Sequence, residues 1–256
     1  LPTNLDRNFW RTDIDGSLKS GFAAFEYVMP LPLNLKGVRK SLDYLAESYK
    51  DNMSEVIDTI MSGVHVHVNV QQFTMKQLYT FITMYFVLDE LLVNFCGPSR
   101  QGNHFCLRAK DAEWIIHELL VSAKTKNLKN LNTENIRYCT CNLFSLFKYG
   151  SVEFRAMRGT GDLDTIYDWV CILDKVKNAS LKFNNPRDVI VAMSDKGERN
   201  FIKFVLGDYA EFFLNVEKWD EMVREGIYMV QPLAFSIDWN SFKDENVNPF
   251  RKDFIR

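Results

Sequence analysis

The sequence predicts an α+β fold built on an antiparallel sheet. Three observations carry that prediction. Residues 63–70 alternate strictly, with Val64, Val66, Val68 and Val70 on one side and His65, His67 and Asn69 on the other. That is the period-two pattern of a half-buried strand. Thr74, with Gln77 three residues on, forms a capping box ahead of an apolar stretch reaching Phe95, the signature of a long helix. Strands and helices intermix along the chain without a regular βαβ rhythm, which favours antiparallel pairing.

The remaining elements follow in order. Residues 22–29 are rich in aromatic and β-favouring types and stop at Pro30 and Pro32, which cannot donate to a ladder, so they read as a strand. Asn34 caps a helix whose Leu35, Val38, Leu42, Leu45 and Tyr49 fall at helical spacing. The helix from Thr74 ends before Gly97-Pro98. Asp111 caps the next, with Trp114, Ile115 and Leu119 on its apolar stripe. Residues 137–143 and 151–157 read as strands around a turn containing Gly150. Asp162 or Asp164 opens a helix through Ile166, Trp169, Val170, Leu173 and Val176. Helices over 187–194, 198–215 and 217–225 come next. An apolar strand candidate covers 227–235, and the tail after Asn240 is polar and irregular.

At 256 residues and 46% hydrophobic, the chain can bury a sizeable core without staples, in one large domain or two small ones. Lys and Arg (31) nearly balance Asp and Glu (33), a net charge of -2. No broad nucleic-acid surface is expected, since that needs a basic excess or a clustered stripe; a local patch stays open. Five cysteines, with no Cys-x-x-Cys pair, argue against a disulfide framework and a zinc ribbon. Buried thiols in a reducing compartment are the expectation, with Cys139 and Cys141 sharing a face if extended. No signal peptide is recognised. The apolar helix candidate over 78–92 carries Asp89 and Glu90 and is interrupted by Thr80 and Thr83, so it reads as too short and too polar for a membrane span of about 20 residues. The sequence opens on Leu1, as a processed chain or a fragment does.

Four clusters could carry chemistry. In Ser151-Val152-Glu153-Phe154-Arg155, a strand places Glu153 and Arg155 on one face with Ser151, and Val152 and Phe154 in the core. The plain reading is a surface ion pair of little worth. The functional one is a metal-binding carboxylate beside a phosphate-binding guanidinium. Arg158-Gly159-Thr160-Gly161 adds a second Arg and a flexible turn. His65 and His67 could hold a metal, but zinc wants three or four ligands, and the only other histidines, His104 and His117, lack helpful spacing. Asp13-Ile14-Asp15-Gly16-Ser17-Leu18 gives a turn signal before Glu26, an acidic residue in an otherwise apolar strand that needs a partner or a wet face. Gly97-Pro98-Ser99-Arg100, with Arg108 beyond it, offers a loop arginine that is solvated by default.

Taken in order, these pieces resemble the amidoligase family. The resemblance rests on Asp15-Gly16-Ser17-Leu18, the Glu26 strand ending at Pro30, Gly63-Val64-His65-Val66-His67-Val68, Pro98-Ser99-Arg100, Arg137-Tyr138 with Asn142-Leu143, Gly150-Ser151-Val152-Glu153-Phe154-Arg155, and Gly159-Thr160 with Asp162. It covers residues 10–176. The joint occurrence of Gly-x-His-x-His-Val and Val-Glu-Phe-Arg makes it specific.

The resemblance implies a fold akin to glutamine synthetase and γ-glutamylcysteine ligase, a curved antiparallel sheet with helices packed on its outer face and ATP with Mg²⁺ on the concave face. Mn²⁺ is the alternative ion. It implies a ligase joining a carboxylate to an amine, on amino-acid or peptide-like substrates, through an acyl phosphate. Position by position, it gives Glu26, His65, His67 and Glu153 to metal, Glu153 and Arg155 to catalysis, and Arg100, Arg137 and Arg158 to nucleotide and substrate. It implies a core over 1–180 and a helical C-terminal extension over 181–256. The family occurs in bacteria and bacteriophages, which points to the cytoplasm of a bacterium or infected cell, or to a virion, with no membrane or nucleic-acid partner.

One departure stands out. The family's first strand normally carries Gly-x-Glu-x-Glu, and these residues hold no Glu-x-Glu. Either it precedes Leu1 or it has been lost. The second alternative implies a catalytically degenerate binding or structural protein, possible in a phage. A third reading, from the residues alone, is a metal-dependent hydrolase built on His65 and His67.

Overall fold

The structure is a computed structural model that describes residues 10–14, 25–29, 31–49 and 58–243. Strands β1 (Arg11–Ile14) and β2 (Phe25–Val28) pair antiparallel, with Asp13 opposite Glu26. Residues 22–24 of the expected strand, and the Asp15-Gly16-Ser17-Leu18 turn, lie outside the described residues. Helix α1 (Leu35–Tyr49) starts as its cap requires, with Asn34 Oδ1 accepting from Gly37 N–H at 2.9 Å. Its buried Val38, Leu42 and Leu45 join Trp10 in a small apolar cluster.

A second ladder runs in the order β3-β5-β4, antiparallel throughout. It comprises β3 (Gly63–Asn69), β4 (Cys141–Asn142) and β5 (Ser151–Arg158). A short helix, α4 (Ser145–Tyr149), connects β4 to β5. Val152 and Phe154 turn toward α2 (Met75–Cys96), where Phe154 meets the rings of Tyr85 and Phe81 at 4.6 and 5.6 Å. The capping box of Thr74 and Gln77 is present in both directions. α2 has the expected bounds, but the 78–92 window judged too short and too polar for a membrane span is part of a longer apolar helix. It is long and apolar enough to cross a membrane, but the apolar window is 83% buried inside the protein, which is the setting of a core helix.

α3 (Trp114–Thr125) and α5 (Leu163–Ser180) complete the first 180 residues. Asp162 caps α5, accepting from the N–H groups of Asp164 and Thr165. Asp111 does not cap α3. It sits in a 3-10 turn (Ala109–Asp111) and holds Arg108 at 2.7 Å instead. The strand expected at 137–143 shrinks to the two residues of β4, because a 3-10 turn (Glu134–Tyr138) takes its first two residues and Cys139 bridges to Leu107 instead. Four further helices follow, α6 (Pro186–Lys196), α7 (Glu198–Leu206), α8 (Ala210–Leu214) and α9 (Trp219–Phe235). The single helix expected over 198–215 breaks at Gly207, whose φ of 56° lies in the left-handed region.

The strand expected at 227–235 is helical. Val223, Val230, Leu233 and Ala234 recur at helical spacing and are fully buried. Gly226 lets α9 run against α2, since a Cβ there would stand 2.3 Å from the Val87 carbonyl oxygen. Pro232 sits inside the helix but on its exposed side, where the carbonyl it leaves unbonded can turn to water. One continuous apolar cluster then reaches from Val70 through α2 and α5 to Phe242.

Candidate functional site

β5 carries the site because its residues alternate. Val152 and Phe154 are fully buried toward α2, so Glu153 and Arg155 must point to the opposite face. They do not form the solvated pair that spacing alone suggests. Both side chains are about 10% exposed, and Arg155 Nη1 lies 2.8 Å from Glu153 Oε1. Each is held from a second side. Asn142 on β4, directly opposite Glu153 in the ladder, donates its amide to Oε2. Arg155 Nε donates to the Phe105 carbonyl at 3.2 Å. Asn142 is itself fixed, its Oδ1 accepting from Phe144 N–H at 2.9 Å. An ion pair this buried is kept in place only when its remaining polar atoms are satisfied, and here most of them are.

β3 brings the two histidines to the same face. His65 Nδ1 is 3.2 Å from Glu153 Oε1. Burial, then the Arg155 guanidinium, push the His65 imidazole down to about 4. The ring is therefore neutral at physiological pH. His67 stands at the exposed end of the face, its Nδ1 2.9 Å from Ser151 Oγ and its ring edge-on to Tyr149 at 5.3 Å. Burial also lowers its pKa, with Glu153 acting the other way.

His65 sits diagonal to Glu153, next to a β-bulge. Val64 pairs with Met157 and Val66 with Phe154, so Arg155 and Ala156 together oppose the single His65. Bulges of this kind re-aim side chains. On the Glu153 side of His65 the ladder is regular, with His67 directly opposite Glu153.

The other expected site residues fall differently. Glu26 is exposed on the β1–β2 ladder, opposite Asp13, and does not share a sheet with Glu153 among the described residues. Arg100 is not a solvated loop residue but is 1% exposed, inside a 3-10 turn (Pro98–Arg100). Arg158 donates to the Cys96 carbonyl at 3.3 Å, close to Gly97, where a Cβ would stand 2.8 Å from Arg158 Cδ. Arg137 is exposed in the 134–138 turn. Asn142 was among the residues carrying the family resemblance but was given no role, and the backbone of Phe105 escaped sequence reasoning.

The donor set bears on which ion could sit here. Among the described residues no group of three or more His, Cys, Asp or Glu could hold a metal ion. Among the described residues the face offers one carboxylate, Glu153, already paired with Arg155. That does not fit a resident zinc or magnesium. It fits Mg²⁺ arriving with a nucleotide, since that ion is commonly bound by one or two carboxylates plus substrate phosphates and water. The five cysteines are all free, four of them buried.

A family model described as "putative amidoligase enzyme" matches residues 11–176. No curated protein and no solved structure matches the chain. The matched span takes in β1 through most of α5 and contains each of the side chains gathered around Glu153.

Proposed function

The chain belongs to the amidoligase family, and from that premise we propose that it is an ATP- and Mg²⁺-dependent ligase joining a carboxylate to an amine, on amino-acid or peptide-like substrates, through an acyl phosphate. The observation that carries this reading is the buried Glu153 carboxylate, held between Arg155, His65 and Asn142 on a face that α2 backs from behind. Forming an amide in water needs an activated carboxylate. Transfer of a phosphoryl group to it spreads charge over the phosphoryl oxygens, and the protein contributes positioning and electrostatics.

The residues suit that work. Arg155 is fixed by Glu153 and by Phe105, so its planar fork is aimed before any anion arrives. Glu153 supplies the carboxylate oxygen that Mg²⁺ prefers. The ion, when bound with the nucleotide, neutralises the phosphates. Neutral His65 adds no positive charge of its own and leaves the face to Arg155. Glu26, His67, Arg100, Arg137 and Arg158 are the other residues that the family resemblance suggests for metal, nucleotide and substrate.

Glu153→Gln keeps the size of the side chain and a hydrogen-bonding oxygen while removing the charge. It is expected to abolish Mg-ATP-dependent phosphate release with the circular dichroism spectrum unchanged. Phosphate release at the parental rate in that variant would exclude the ligase assignment.

A second reading is favoured by one observation. Both oxygens of Glu153 are already bound within the protein, Oε1 by Arg155 and Oε2 by Asn142. A carboxylate so fully engaged also suits a descendant that keeps the fold for binding and no longer turns over ATP. Nucleotide binding without phosphate release is its mark.

A further inference from the structure

Arg100 is at 1% exposure, and no carboxylate pairs with its guanidinium among the described residues. Such a group stays charged in a protein, and a buried charge is costly unless its hydrogen bonds are made. Two of them are made to backbone. Nη1 donates to the Ser62 carbonyl at 3.0 Å, and Nη2 to the Arg155 carbonyl at 2.9 Å. Nε has no partner among the described residues.

Those two carbonyls are not arbitrary. Ser62 immediately precedes β3. Arg155 is one of the two β5 residues that oppose His65 in the bulge, and its N–H is already given to Thr140 on the other side, at 2.9 Å. One planar fork thus ties the entry of β3 to the irregular point of β5. Gly63 is built to the same contact, because a Cβ there would stand 3.1 Å from Arg100 Nη2. Arg100 is itself anchored, its own carbonyl accepting from Cys106 Sγ at 3.6 Å.

We propose that Arg100 is a positioning residue. It clamps the β3–β5 bulge at His65, beside Glu153 and Arg155, and it does not bind the nucleotide phosphates. This rests on the reading of the Glu153 face as the reacting centre. The alternative, a phosphate ligand, requires the guanidinium to abandon both carbonyls and reach a surface from which it is now closed off.

Two variants separate the possibilities. Arg100→Lys keeps the charge but loses the fork, since an ammonium is a point donor and cannot span two carbonyls in a plane. Gly63→Ala keeps Arg100 and crowds its Nη2. The ¹⁵N signals of the His65 ring, assigned with His65→Gln, are recorded at one pH, and steady-state kinetics are run with Mg-ATP. The His65 signals are expected to move in both variants. In Arg100→Lys kcat is expected to fall by about 100-fold, the usual cost of displacing reacting groups by about an ångström, while KM for ATP stays level. His65 signals unmoved in both variants overturn the proposal. So does a KM that rises while kcat holds, because that pattern marks lost ground-state binding. If the parent protein releases no phosphate, the ligase reading fails and the His65 signals still decide the role of Arg100. If Arg100→Lys does not fold, Gly63→Ala decides alone.

Discussion

At the scale of single residues, Asp89 carries the most buried carboxylate among the described residues. It lies in α2, 2% exposed, with Oδ2 accepting from Ala109 N–H at 2.8 Å and Oδ1 from the Thr140 hydroxyl at 2.8 Å. These bonds favour the charged form, but burial outweighs them and pushes the pKa up to about 6 from 3.8. For an acid raised in the folded state, the native protein holds the proton longer than the unfolded chain. Its contribution is therefore present below about pH 4 and is lost as pH rises through about 6, on the order of 3 kcal/mol in all. His65 works the other way. Its folded pKa, near 4, lies below the unfolded 6.5, so its contribution is present above pH 6.5 and is lost as pH falls toward 4. The two trends oppose each other over pH 4–6. Asp89→Asn removes one of them. Urea midpoints taken from pH 4 to pH 7 are expected to vary gently in the parent and to drop steeply with acid in the variant. Parallel profiles would mean that Asp89 titrates as an ordinary carboxylate.

At the scale of elements, α2 decides the architecture, and its two neighbours show what a sequence can and cannot convey. On one side lies β5. The alternation in 63–70 and in 151–157 is local, so β3 and β5, and the shared face of Glu153 and Arg155, were legible residue by residue. The His65 contact was not, because which β5 residues it faces depends on the pairing register, and nothing local fixes the register or marks the bulge beside it. Asn142 was hidden for a similar reason: its place opposite Glu153 is set by the α4 turn. The burial of Arg100 is a tertiary fact altogether. On the other side of α2 lies α9. Its Ile227, Tyr228 and Val230 favour a strand, yet packing against α2 overrides that preference. Gly226 is where the override is tightest. Gly226→Ala gains helix propensity, up to about 1 kcal/mol, but places a Cβ against the Val87 carbonyl oxygen at 2.3 Å, which no rotamer can relieve. Overpacking should win, for a net loss of about 2 kcal/mol and a Tm lower by roughly 4–8 °C in thermal unfolding. An unchanged or raised Tm would show that the two helices part there at little cost.

At the scale of the whole molecule, the site face is backed by the large apolar cluster that runs from Val70 to Phe242. That makes ligand binding readable as stability, because a ligand that binds only the folded state raises it by RT ln(1 + [L]/Kd), about 2.7 kcal/mol at a hundredfold excess over Kd. On the proposed ligase reading, the single carboxylate on this face among the described residues sets the order of events. Mg²⁺ finds too few protein oxygens around Glu153 to bind alone, and a triphosphate alone brings several negative charges to a face where Arg155 is already neutralised by Glu153. Each partner supplies what the other lacks. In calorimetry and thermal melts with a non-hydrolysable ATP analogue, the expected result is therefore a strong positive coupling: little heat and little Tm shift from Mg²⁺ alone, weak binding from the analogue alone, and a clear shift with both. Stoichiometric zinc that stabilises the protein without any affinity for nucleotide would instead favour hydrolysis on His65 and His67. Coupled binding that survives Glu153→Gln at full strength would remove that carboxylate from the metal's shell and, with it, the reason for placing the nucleotide on this face.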